Sequence, residues 1–297
     1  MASALKRVRE WFDRKWNPVY PRGDFESLFS GEVRPKLVTR RIGSYQIQTA
    51  EVVHLSDAFR STPPLMFVHG SPGDWKAWSP YLAAPELKIF PRLIAVDRPG
   101  FGGSDAGRVL LDLRAQAQML AELIPHGQSA IVVGHSLGGA LAAWMAIDHP
   151  DKVCAALSIA GSLAASLEAP RWYNRVASWR VARWIVPRAM LWANEEMLRL
   201  SRELERMHVE WGRLRVPFVI LQSGKDRLVD PRTPGVIASL APDAFVKVIR
   251  FPNENHFVVW ENPELIIGQI LALLRNYERT HGGCDDIAAS QQPSLVG

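Results

Sequence analysis

Ser136 stands in GHSLGG (134–139), with Gly134 two residues before it and Gly138 two residues after. The stretch ahead of it, SAIVV (129–133), has the continuous apolar character of a buried strand. The stretch behind it, ALAAWMAIDHP (140–150), reads as a buried helix. A serine on so sharp a strand-to-helix turn takes a strained backbone, and the residues two before and two after it approach so closely that only small ones fit. The turn lifts Oγ out of the sheet edge at the positive end of a helix, where a developing anion is favoured. The chemistry open to such a hydroxyl is attack on a carbonyl carbon. It needs a base to take the proton and an acid to orient that base.

The elements that must hold this turn are legible along the chain. LVTRRI (37–42), YQIQTAEVV (45–53), LMFVHG (65–70), RLIAVD (92–97), SAIVVG (129–134), VCAALSIAG (153–161), PFVILQSG (217–224) and FVKVIRF (245–251) read as strands. Helical patterns fall at 112–124, 137–149, 231–240 and 262–278, the last with Asn262 as expected N-cap and Pro263 at the first helical position. Apolar strands alternating with helices predict an α/β fold, a mostly parallel eight-stranded sheet covered on both faces. The first two strands, joined by Gly43-Ser44, fit an antiparallel hairpin. The expected organisation is a basic amphipathic arm over 1–36, a core over 37–161 and 216–279, a helical insertion over 162–215 and a disordered polar tail over 280–297.

Bulk properties narrow the function classes. The chain has 297 residues, 47% apolar and 22% charged, which suits one α/β domain with an insertion. Its two cysteines, Cys154 and Cys284, match no disulfide framework or metal spacing and point to a reducing, cytoplasmic compartment. The N-terminus lacks the apolar core of a secretory signal. GFGG (100–103) lacks the context of a dinucleotide site, no His/Cys cluster suggests a metal, and no cofactor is expected. No nucleic-acid-binding motif is present.

Four stretches together resemble the α/β-hydrolase fold family, over about residues 37–279: HGSPGD (69–74), DRPGFGGSD (97–105), GHSLGG (134–139), and SGKDRLVDP (223–231) with NENHF (253–257). In that family the chain order is nucleophile, then acid, then histidine. The resemblance implies Ser136 as nucleophile, His256 as base and Asp226 as the acid. Of the histidines well after Ser136, His208 lies in the insertion and His281 in the tail, whereas His256 follows the last strand. Asp230 is the rival acid but precedes Pro231 and reads as a cap for the next helix. The oxyanion hole implied is the backbone N–H of Leu137 with that of Ser71. His69 and His135 match loop-bracing positions, and Asp97, Arg98 and Ser104 are expected as internal hydrogen-bonders. Family members that attack sp³ carbon carry Asp at the elbow. Serine there points to acyl transfer to water, with esters of apolar acyl groups as substrates. Amides, thioesters and the C–C bonds of ring-cleavage products remain open on the same three residues, as does a non-catalytic ligand binder.

The family resemblance implies that the insertion is a helical lid above Ser136. NEEMLRLSRELERMHVEW (194–211) predicts a helix capped by Asn194, with Glu195–Arg199 and Arg199–Glu203 pairs and a stripe of Met197, Leu200, Leu204, Met207 and Trp211. Basic residues concentrate at 1–22, six against two acidic, and at 168–215, ten against six. Those segments also hold seven of the eleven tryptophans. Two readings stand: arm and lid touch an anionic membrane surface, or the arm packs on the body and the arginines are a solvated face.

Overall fold

The computed structural model describes residues 28–29, 34–54, 62–105, 108–169 and 186–281. Most of the arm, the Arg- and Trp-rich part of the insertion over 170–185, and residues 282–297 lie outside the described residues, and the expectations for membrane contact and a disordered tail lie with them.

Eight strands form one sheet: β1 (Lys36–Ile42), β2 (Tyr45–Val53), β3 (Leu65–Val68), β4 (Arg92–Val96), β5 (Ala130–His135), β6 (Val153–Ile159), β7 (Phe218–Ser223) and β8 (Val246–Phe251). Their order is β1-β2-β4-β3-β5-β6-β7-β8. The β1/β2 hairpin is antiparallel, β2 meets β4 antiparallel, and every later pairing is parallel. The fold is therefore the mostly parallel eight-stranded α/β sheet that the strand pattern predicts. Hydrophobicity follows position: β3, β5 and β7 are buried at every residue, while edge strand β1 alternates with solvent.

Side-chain alternation sends the two faces of each strand into separate cores. Met66 and Val68 of β3 face a cluster that holds helix α1 (Leu113–Ala121) and helix α2 (Leu137–Asp148). Leu65 and Phe67 face the opposite cluster, with Trp78, Tyr81 and Ile266, Ile270 and Leu274. α2 is buried along almost its whole length, which is why it carries no polar face.

The longer of the remaining helices are α3 (Arg188–His208), α4 (Thr233–Ala238) and α5 (Pro263–His281). α3 corrects the expected helix start. It begins after Pro187, so Asn194 is an interior, buried residue and not a cap. RAMLWA (188–193) consists of good helix formers, and nothing in it opposes extension of the helix back to the proline. Glu203 pairs with Arg206 rather than with Arg199, and it accepts the Leu113 N–H at 3.1 Å. The apolar stripe behaves as read: Leu200, Leu204, Met207 and Trp211 are buried in the α1/α2 core, with Met197 packed against it. α5 extends to His281, three residues past the expected end. Asn262 precedes its Pro263 start, but the Asn262 amide donates to Glu254 Oε2 at 2.7 Å. Among the described residues no helix is long and apolar enough to cross a membrane.

Candidate active site

The turn between β5 and α2 has the geometry its glycines demand. Ser136 sits at φ 55°, ψ −123°, a conformation L-residues rarely adopt. A Cβ on Gly134 would lie 2.0 Å from the Gly138 carbonyl oxygen, and one on Gly138 would lie 2.2 Å from the Val68 carbonyl oxygen. Backbone hydrogen bonds over-determine the strained residue: Ser136 N–H donates to Ile159 O at 3.0 Å, and Ser136 O accepts from Gly139 at 2.9 Å and Ser162 at 3.2 Å. The side chain keeps partial exposure while nearly everything around it is buried.

His256 and Asp226 meet at the same sheet edge. Asp226 follows β7 and His256 follows β8, two parallel neighbours, so the two loops leave the sheet side by side. Lys225 N–H donates to Glu254 O at 2.8 Å and ties the loops together. Asp226 Oδ2 lies 2.8 Å from His256 Nδ1, with both residues buried. Asp226 Oδ1 accepts the N–H groups of Leu228 (2.8 Å) and Val229 (2.9 Å), so the carboxylate is fixed as an acceptor on both oxygens. With Nδ1 donating to Asp226, Nε2 is the free basic nitrogen. The His256 carbonyl accepts from His135 Nε2 at 2.9 Å, and the two rings are 4.8 Å apart, which brings the His256 ring alongside the residue preceding Ser136. Among the described residues no hydrogen bond joins Ser136 Oγ to His256.

The other candidates are elsewhere. Asp230 is not the side-chain cap of α4; its carboxylate grips Arg232 within its own turn, which holds it down at about 2. His208 and His281 are exposed at the ends of α3 and α5.

Around the HGSPGD loop the expected internal hydrogen-bonders are present. His69 donates from Nδ1 to Gly70 O at 2.7 Å and accepts the Arg98 N–H on Nε2 at 3.0 Å. Burial and the Arg98 charge hold its pKa well below the usual histidine range, so it is neutral. Burial holds His135 down at about 3. Asp97 receives the N–H groups of Trp75 (2.6 Å) and Gly103 (2.7 Å) and the Gln48 amide (2.8 Å), while burial still pushes its pKa up to about 6. The N–H groups of Ser71 and Leu137 have no acceptor among the described residues. A Cβ on Gly70 would lie 3.0 Å from Ser136 Cβ, so this loop runs against the elbow.

Sequence reasoning missed one partner, Glu196. It reaches from α3 to Arg98 with two hydrogen bonds, Nη1–Oε1 2.7 Å and Nη2–Oε2 3.0 Å, in a pair shut off from solvent. The Ser71 hydroxyl donates to Glu196 Oε2 as well. A signal existed. Ala193, Glu196, Leu200, Leu204, Met207 and Trp211 recur at helical spacing and all are buried, so one carboxylate lies in line with the apolar stripe. A charge on a buried seam needs a buried partner. Among the described residues no group of His, Cys, Asp and Glu side chains is placed to hold a metal ion.

Comparisons with known proteins agree with this fold. Residues 65–269 match the model of the alpha/beta hydrolase family. Epoxide hydrolase 3 of Xenopus tropicalis is 36% identical over 104 residues, 34% of this chain and 28% of that protein. Pimeloyl-(acyl-carrier protein) methyl ester esterase of Aeromonas hydrophila is 32% identical over 107 residues, 36% of this chain and 41% of that protein. The chain thus spans less than half the length of either relative. A peroxisomal alpha-beta-hydrolase from Saccharomyces cerevisiae superposes with a TM-score of 0.62 at 15% identity, covering 83% of this chain and 89% of that one. The chain belongs to the alpha/beta hydrolase family.

Proposed function

We propose that this chain is a serine hydrolase that cleaves carboxylic esters with apolar acyl groups through an acyl-enzyme. Ser136 Oγ attacks the carbonyl carbon, His256 Nε2 takes its proton, and Asp226 holds the imidazole in that tautomer and stabilises the imidazolium. The N–H groups of Ser71 and Leu137 receive the tetrahedral oxyanion. His256 then protonates the leaving alcohol and activates the water that releases the acid. The observation that carries this reading is the doubly anchored Asp226–His256 pair beside a serine held at positive φ. The missing Ser136–His256 hydrogen bond fits a relay that tightens when substrate fills the site. Serine at the elbow favours carbonyl attack over epoxide opening, and the esterase relative supports esters.

The 162–215 insertion serves in this proposal as the lid, and its arginines with those of residues 1–22 place the site's mouth against anionic lipid. Turnover of p-nitrophenyl esters of rising chain length by wild type and Ser136→Ala tests the chemistry. Wild type turns over the longer acyl chains and the variant does not. Turnover confined to chromophoric diketones moves the assignment to C–C hydrolysis. Membrane contact predicts that anionic vesicles co-sediment the full chain but not a variant lacking 1–22; equal recovery of both in the supernatant removes it.

A further inference from the structure

The Arg98–Glu196 pair lies about the oxyanion loop, yet neither residue belongs to the relay. Arg98 Nη2 donates to Gly70 O at 3.0 Å, and His69 Nδ1 donates to the same oxygen. Gly70 O and the Ser71 N–H belong to one peptide group. That group is planar, and with the bond trans its C=O and N–H point in opposite directions. Two donors on the oxygen therefore fix the direction of the N–H, and a guanidinium on the carbonyl polarises the amide and strengthens it as a donor. Arg98 is itself held by both oxygens of Glu196 and by Gln116 Oε1 at 3.1 Å.

We infer that Arg98 and Glu196 are positioning residues for the oxyanion donor: Glu196 on α3 holds Arg98, Arg98 holds the Gly70–Ser71 peptide, and the peptide aims the Ser71 N–H. The acid comes from the insertion, so seating α3 on the core completes the hole. An α3 displaced from the core leaves Arg98 without the carboxylate that holds it on the peptide. This inference rests on the serine-hydrolase reading, through the role given to the Ser71 N–H.

The test is the double variant Arg98→Met/Glu196→Leu, because removing both members of a buried pair leaves no orphan charge to unfold the chain. We expect a fold that melts near wild type and a kcat on p-nitrophenyl butyrate lower by about tenfold to a hundredfold. That is below the roughly 10²–10³ lost with a whole donor. KM should stay within about twofold. A trifluoromethyl ketone, whose hemiketal oxygen occupies the hole, should bind more weakly by the same factor as kcat. A folded double variant with unchanged kcat and ketone affinity overturns the inference, as does a rise in KM alone. If the double variant does not fold, Arg98→Lys keeps the charges paired but cannot grip Glu196 and Gly70 together, and the same pattern is required of it. A crystal structure of the variant separates this inference from the reading beneath it. If Ser136→Ala retains full turnover, the hydrolase reading fails. The Gly70–Ser71 peptide then decides alone, rotated for the inference and unmoved against it.

Discussion

Replacing Gly134 with alanine puts a Cβ 2.0 Å from Gly138 O, 2.3 Å from Gly138 C and 2.7 Å from Gly139 N. All three are backbone atoms of the elbow itself, so no rotamer change relieves the contact. A carbon in ordinary contact sits about 3.5–4.0 Å away, and the turn must open by more than about 1 Å. Overpacking of this kind costs about 1–3 kcal/mol. At about 2–4 °C per kcal/mol for a domain of 150–250 residues, Tm falls by about 2–12 °C. The displaced segment includes Leu137, whose N–H is assigned to the oxyanion, and a misplacement near 1 Å costs about a hundredfold in turnover. Gly268→Ala is the control: it lies in α5 with nothing within 4 Å of its would-be Cβ, and it should gain about 0.5–1 kcal/mol. Thermal melts and ester turnover of both variants are the assay. A Gly134→Ala protein that melts with wild type and keeps its turnover refutes the steric account of the elbow.

Asp226→Asn should lower kcat by about 10⁴ while the protein remains folded, because an amide in place of Oδ2 no longer fixes the His256 tautomer. A loss below tenfold removes Asp226 from the relay. His135 gives a pH signature: its folded pKa of about 3 lies below the unfolded 6.5, so between those values the unfolded chain binds a proton that the fold refuses. The neutral ring's contribution is complete above about pH 6.5 and is lost as pH falls toward 3, at up to about 1.4 kcal/mol per pH unit. Urea midpoints at pH 7, 6 and 5 should fall less steeply for His135→Gln; parallel slopes contradict the assignment. Trp260→Phe removes the indole that donates to Ala77 O at 2.9 Å and meets the His135 ring edge-on at 5.3 Å. Its loss should cost about 1 kcal/mol in a melt, and an unchanged Tm shows that the bond is not made in solution.

The strands were legible because burial on both faces leaves β3 apolar throughout and β5 and β7 apolar over their first four residues, and turns bound them. The elbow was legible because backbone crowding admits only glycine at 134 and 138. Asp226 and His256 were expected together from the family resemblance, and their 2.8 Å contact follows from each lying after one of two parallel neighbouring strands. Local chemistry misled at Asn194, where good helix formers upstream and burial of the seam outweigh a residue's capping preference. Glu196 stayed hidden for a different reason. Its partner Arg98 is 98 positions away in another loop, and propensity carries no information on contacts that only the folded chain brings together.

Quenched-turnover mass spectrometry with peptide mapping puts the greatest strain on the proposal. During hydrolysis of a p-nitrophenyl ester the wild-type chain should carry one acyl group, mapped to Ser136, and the Ser136→Ala chain should carry none and release no nitrophenol above the uncatalysed rate. An acyl group on another residue, or unimpaired turnover without the Ser136 hydroxyl, contradicts it.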